Sequence, residues 1–299
     1  MKSALSTAHK STTSISFQDF KEITKHRLSL SVVFSAIAGY LLGATQVEWL
    51  ALLLLGFGGY CMVGASNAFN QVIERKEDAI MDRTRNRPIP AGRMSIQTAL
   101  IIASVLTVLG IVSLYILNPK TAFFGALSIV LYTCAYTPLK KVSPLAVFVG
   151  AIPGAIPFML GWVAATNDFD IEPGTLFMIQ FFWQFPHFWA LGWMLDDDYK
   201  KAGFKMLPTG KKNKGTLIQI IMYTLWMIVV SLVPALGITG RLHLSIGGAV
   251  LIGVLGMIML LFAFQLYQKR DNKTARKLML ASVSYITLMQ IVFVIDKFV

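Results

Sequence analysis

The chain has 299 residues, of which 55% are hydrophobic and only 14% charged, with a net charge of +12 and a mean hydropathy of +0.63. A soluble globular domain carries about 25% charged residues, so the composition excludes one. It also excludes a nucleic-acid binder, because the positive charge is dispersed among successive loops instead of gathered into a basic face.

The first sixteen residues lack acids and are rich in Ser and Thr, which reads as a solvated tail. Residues 1–27 form a predicted N-terminal tail and 28–299 a single transmembrane domain. The first apolar run is long for the core of a signal peptide and reads as a retained helix. Nine segments are long and apolar enough to span a bilayer: 28–46, 49–73, 96–117, 121–137, 144–166, 175–195, 216–239, 245–267 and 277–296. The expected fold is therefore all-α, a nine-helix membrane bundle around a central cavity. Of the 27 Lys and Arg residues, 24 fall in alternate loops and only Lys120, Arg241 and Lys297 fall on the other side. The positive-inside rule then puts the N-terminus in the cytoplasm of a multi-pass cell-membrane protein and the C-terminus outside.

The end of the second span carries Asn70, Glu74 and Asp78 at four-residue spacing. Each step of four advances a helix by about 40° beyond a full turn, so the three share a face. Acids at the end of a membrane helix need cationic compensation. Oxygen ligands in a row suit Mg²⁺, which takes one or two carboxylates plus substrate phosphates. Arg75, Lys76, Arg83, Arg85 and Arg87 follow, as a polyanion requires, although cytoplasmic loops are basic in any case. A second acidic turn, Asp196–Asp198, opens the loop four spans later, an echo that suggests two half-bundles presenting acids to one cavity. Gly150, Pro153, Gly154 and Pro157 predict a kink or local opening in the fifth span.

Cys61 and Cys134 lie inside predicted spans and read as core residues. His187 is the one histidine inside a predicted span. That position makes it a functional candidate. Around it Trp183, Phe185, Phe188 and Trp189 could line an apolar tunnel or simply fill the space between helices.

These motifs resemble a known family. Asn70-x-x-x-Glu74-x-x-x-Asp78, followed by Met81-Asp82-Arg83-Thr84-Arg85-Asn86-Arg87-Pro88, is similar to the first aspartate-rich motif of the UbiA superfamily of membrane prenyltransferases. Tyr136-Thr-Pro-Leu-Lys140-Lys141, Trp183-Gln184-Phe185-Pro186-His187-Phe188 and Asp198-Tyr199 through Pro208 resemble later segments of the branch that farnesylates protohaem IX. The resemblance covers roughly residues 25–210 in matching order. The chain departs from the family pattern at Glu74 (commonly Asp), His26 (Pro), Lys141 (Arg), Ala146 (Asn) and Phe158 (Pro).

The resemblance implies farnesyl transfer from farnesyl diphosphate to a vinyl group of haem B, with Mg²⁺ as cofactor. It implies Asn70, Glu74, Asp78 and Asp198 as metal ligands and Lys140 as a further catalytic residue. Arg83, Arg87, Tyr136, Gln184, His187 and Tyr199 become substrate-binding candidates. Haem A synthase or oxidase-assembly proteins become candidate partners, beside the lipid bilayer. Two other readings stay open: prenylation of an aromatic or quinone precursor, and transport. A transporter should place ionisable residues near the middle of several spans, whereas nearly all of them here lie at the predicted cytoplasmic ends.

Overall fold

The computed structural model describes residues 16–299. The first fifteen residues of the expected tail lie outside the described residues. The rest of that tail is not extended chain. Helix α1 (Phe17–Ile23) starts at Ser16, whose hydroxyl accepts the Asp19 N–H at 3.0 Å. Arg93 clamps it, with Nε donating to Asp19 at 2.7 Å and Nη2 to Glu22 at 2.6 Å. The Gln71 amide donates to the Glu22 and Ile23 carbonyls at the far end. Residues 17–23 are therefore docked against the bundle.

All regular structure among the described residues is helical: α2 (His26–Gly43), α3 (Trp49–Ile73), α4 (Arg75–Ile80), α5 (Ile96–Leu117), α6 (Pro119–Val130), α7 (Thr137–Val142), α8 (Ala146–Thr166), α9 (Ile171–Met194), α10 (Asp196–Lys201), α11 (Lys214–Leu232), α12 (Ile246–Lys269) and α13 (Asn272–Phe298). Five of these helices begin where a short polar side chain satisfies a free N–H of the first turn: Ser95 for α5, Asn118 with Pro119 for α6, Asn213 for α11, Ser245 for α12 and Asp271 for α13. Among the described residues eight helices are long and apolar enough to cross a membrane. Helix α9 has the length, 24 residues, but Glu172, Gln180, Gln184, His187 and two prolines lower its apolarity. Composition thus supports eight spans rather than the nine expected.

Lipid chains are as apolar as a leucine, so close packing and hydrogen bonds hold such a bundle together. At Gly39 and Gly161 helices α2 and α8 approach so closely that an added Cβ would lie 2.0 Å from the Phe158 carbonyl oxygen and 1.9 Å from that of Ala36. Large apolar side chains instead point outward, as with Leu53 and Phe57 on α3 and Val105, Val108 and Val112 on α5. Helix α8 runs unbroken through Pro153 and Pro157, so the local opening expected there does not occur.

Two departures from straight helix shape one end of the bundle. The first is a π-helical turn, Leu131–Tyr136, between α6 and α7. The Thr137 hydroxyl donates to the Tyr132 carbonyl five residues back, at 2.7 Å. A π-turn inserts a residue and rotates the helix beyond it, and such turns recur at functional sites. The second occurs twice. Helix α3 stops at Glu74 (φ −89°, ψ 15°) and six residues of α4 come next. Helix α9 stops at Leu195 (φ −101°, ψ 15°) and six residues of α10 come next. The echo between the two acidic segments is thus a repeated backbone device: a long helix, one non-helical residue and a single short helix carrying the acids.

Candidate active site

The residues singled out at the end of α3 are buried. Asn70, Glu74 and Asp78 do not ride one continuous helix, since the break falls on Glu74 itself. The i to i+4 hydrogen bonds nevertheless persist across it, Glu74 N to Asn70 O and Asp78 N to Glu74 O, both at 2.8 Å. The four-residue stagger therefore survives the change of helix.

Each of these polar groups meets a partner from another segment. The Asn70 amide donates to the Thr137 hydroxyl at 3.1 Å, which ties α3 to the π-turn. The Asn70 amide oxygen accepts no hydrogen bond among the described residues. Lys140 Nζ stands 2.7 Å from Glu74 Oε1, close enough for an ion pair but off the direction of a hydrogen bond, so that buried oxygen lacks a donor. Asp78 is fully buried, and both its oxygens accept from Arg87 Nη1, at 2.8 and 2.7 Å. Thr84, also buried, donates to the Asp78 carbonyl. Lys140 Nζ further lies 4.5 Å from the centre of the Tyr136 ring and 5.5 Å from that of Phe204. Tyr136 packs against Gly150, where a Cβ would strike the ring at 2.5 Å.

The second acidic segment closes over the first. Asp198 accepts the Asp82 and Arg83 N–H groups at 3.3 and 3.2 Å and the Lys201 ammonium at 3.2 Å. Burial pushes the Asp198 carboxyl up, but these donors outweigh it and hold its pKa below the usual range. Lys201 also pairs with Asp82, and the Lys205 N–H donates to the Lys140 carbonyl at 2.7 Å. The loops after α4 and α10 are thereby stitched to each other and to α7. Asp196 pairs with Lys200, while Asp197 faces outward. Arg83 is exposed, with its side chain in no ion pair among the described residues, and Tyr199 lies half-buried beside Phe204. Gln184 is placed elsewhere. Its amide donates to the Ala151 and Gln180 carbonyls and its oxygen packs on Gly154, so it seats α9 against α8. His187 lies deeper on α9 and faces α13.

One charged residue was not among the sequence candidates. Lys25, between α1 and α2, adopts φ +46° and is drawn to the same cluster. Burial, and then the charges of Arg87 and Lys140, pull its pKa down to about 7, against the opposing effect of Glu74 and Asp78. The sequence signal was the basic pair Lys25 and Arg27 just before the first span, which charge counting absorbs into topology.

Among the described residues no three His, Cys, Asp or Glu side chains gather closely enough to cage an ion by themselves. The donor set still suits Mg²⁺, which keeps water and phosphate oxygens in its shell and asks for only one or two protein carboxylates. Asn70 Oδ1, which accepts no hydrogen bond among the described residues, and Glu74 Oε1, which meets only Lys140, are one turn apart, with Asp78 one turn further on. Cations already stand beside the acids, Arg87 at Asp78 and Lys140 at Glu74.

A buried row of acids and amide, an overarching basic loop and a helical membrane scaffold are features of one class, and the chain belongs to it. Residues 32–289 match the UbiA prenyltransferase family. The chain is 65% identical to the protoheme IX farnesyltransferase of Christiangramia forsetii over 94% of both chains. It is 62% identical to that of Flavobacterium psychrophilum, over 94% of this chain and 95% of the other. The fold matches a digeranylgeranylglyceryl phosphate synthase structure with a TM-score of 0.77 at 18% identity, covering 94% of this chain and 98% of that one. It also matches a UbiA homologue from Archaeoglobus fulgidus bound to GPP and Mg²⁺, with a TM-score of 0.67 at 15% identity over 92% and 99% of the two chains.

Proposed function

We propose that this protein transfers the farnesyl group of farnesyl diphosphate to a vinyl group of haem B, releasing diphosphate and giving haem O. The high identity to two protoheme IX farnesyltransferases over nearly the whole chain carries this reading. The geometry supplies the means. Asn70, Glu74 and Asp78, with Asp198 across the mouth, would hold Mg²⁺, which when bound supplies positive charge to the leaving diphosphate. The A. fulgidus homologue, bound to GPP and Mg²⁺, is the precedent for that pairing.

The chain's own cations do the rest. Arg87 and Lys140 shift from the carboxylates to the diphosphate, joined by Lys25 and by Arg83 from the exposed side. They stabilise charge on the leaving oxygens as the allylic C–O bond breaks and its electron pair departs with diphosphate. The haem vinyl carbon attacks the prenyl C1, and water captures the resulting cation with loss of a proton. Tyr136 and Tyr199 wall the mouth and limit early capture of the prenyl cation by water. The half-buried rings on α9 offer the porphyrin an apolar wall.

We further infer nine spans, with α9 inside the membrane because α8, α11 and α13 surround it. The basic mouth then faces the cytoplasm, the compartment of the diphosphate, with 28–299 acting as one domain and the product passing to haem A synthesis or oxidase assembly. The deciding experiment supplies purified protein in detergent with haem B, farnesyl diphosphate and Mg²⁺. A haem with the mass of the hydroxyethylfarnesyl product is expected. Prenylation of an aromatic acid or quinone precursor instead of haem would refute the acceptor.

A further inference from the structure

The motifs legible in the sequence end near residue 210, yet the deepest candidate site residue is held by α13. His187 Nδ1 lies 2.8 Å from the Ser282 hydroxyl. That hydroxyl, fully buried, donates its single proton to the Met279 carbonyl at 2.6 Å. Toward the imidazole it can therefore only accept, so the ring proton sits on Nδ1. Nε2 is left with its lone pair and has no hydrogen-bond partner among the described residues. The ring is fixed from a second side as well. Trp183 stacks on it with centroids 4.9 Å apart and planes 20° from parallel, and the Trp183 Nε1–H donates to the Ser282 carbonyl at 2.6 Å. Ser282 thus holds both members of the stack, one through its hydroxyl and one through its backbone.

A partly buried stripe of α9 runs from this pair toward the helix's C-terminal end. Trp183, His187, Leu191 and Met194 recur at three- and four-residue intervals and are only partly buried, while Gln184, Trp189 and Trp193 between them are buried. The stripe ends at Met194, one residue before the break at Leu195, after which α10 carries Asp198.

We propose that Ser282 is a positioning residue that fixes the His187 imidazole with its proton on Nδ1, so that Nε2 offers an electron pair to the iron of the haem acceptor. This rests on the acceptor being haem. Locking one ring nitrogen by a hydrogen bond so that the other can bind a metal is a general device, and loss of such an outer partner costs about 10–100-fold in affinity.

The test uses full-length protein labelled with ¹⁵N-histidine, with the His187 signals assigned by their loss in His187→Gln. In the wild type Nδ1 should be protonated and Nε2 not. Ser282→Ala should shift the ring toward the other tautomer, weaken haem binding by about tenfold or more, and alter the axial-ligand bands of bound haem. Farnesyl diphosphate binding should hold. Ser282→Cys, which keeps a weaker acceptor of similar size, should fall between. A wild-type ring protonated on Nε2, or a Ser282→Ala protein with unchanged tautomer and haem spectrum, overturns the assignment while leaving the haem reading in place. A wild type that carries Nδ1–H but neither binds nor turns over haem overturns the acceptor and the donor role together.

Discussion

Asp78 is the residue whose removal separates structure from chemistry. It is fully buried, its two oxygens are held by one Arg87 nitrogen, and the Arg87 side chain keeps 17% exposure. Asp78→Ala strands that guanidinium without its partner. Breaking a buried pair costs about 3–5 kcal/mol, chiefly through the uncompensated charge. The residual water at Arg87 moves the expectation to the lower end, roughly 3 kcal/mol. Adding Arg87→Met removes the stranded charge and should recover most of that loss, since an ion pair replaced by apolar side chains is often neutral in stability. Turnover should behave differently. The carboxylate is also a proposed metal ligand, and losing such transition-state stabilisation costs about a hundredfold or more in kcat. Both the single and the double variant should therefore stay inactive, while the double variant melts close to wild type. The assays are thermal unfolding in detergent and single-turnover farnesyl transfer at saturating Mg²⁺. A double variant that regains turnover along with stability would show that Asp78 only neutralises Arg87, and both the metal assignment and the diphosphate role of Arg87 would fall.

The same geometry sets three further outcomes. Glu74→Asp keeps a carboxylate beside Lys140 and should retain activity within about tenfold, whereas Glu74→Gln should lose about a hundredfold; equal rates for the two, measured under single turnover, would count against a charged ligand there. Lys25, with its folded pKa lowered to about 7 from 10.5, is mostly neutral at pH 8 in the free protein. In the window from about 7 to 10.5 the unfolded chain binds the extra proton, so Lys25 favours folding as pH rises through it and opposes folding once charged below it. A bound diphosphate reverses the preference, so at pH 8 a farnesyl thiodiphosphate should bind with proton uptake, read by calorimetry in two buffers of different ionisation heat; undiminished uptake in Lys25→Met would contradict this. For orientation, Asn86→Cys and Gln46→Cys on a Cys61→Ala, Cys134→Ala background are exposed probes at opposite ends, and Asn86 should label only from the cytoplasmic side; labelling of Asn86 from outside would invert the topology.

The sequence was most informative where a periodic signal and a physical cost coincided. Apolar runs of bilayer length located the long helices to within a few residues, because the membrane leaves a spanning backbone few alternatives. The stagger of Asn70, Glu74 and Asp78 was legible for a similar reason, since acids beside lipid demand partners. What it could not show was the break at Glu74 or the π-turn at Leu131–Tyr136, which depend on how α3, α6 and α8 meet and not on local propensity. Nor could it separate Gln184 from His187. Both sit in one short motif three residues apart, which on a helix is about 60° short of a full turn. That rotation, invisible in the motif, sends one amide into the α8 interface and the other ring toward α13.

The C-terminal helix looked generic for a related cause. Ser282 and Gln290 carry no motif, and a lone Ser or Gln in an apolar run has little effect on a hydropathy profile. In the folded bundle Gln290 bridges Ser35 on α2 and Gln180 on α9, at 3.1 Å to each, and Ser282 holds His187 and Trp183. Buried polar side chains in a membrane interior must be paired, and here each pairing runs between segments remote in sequence. A motif records residues that are close along the chain; these contacts are close only after folding, so their chemical meaning resides in the partner. Two such pairings fix α13 against α2 and α9, which is why motifs that end near residue 210 leave its part in the bundle unread.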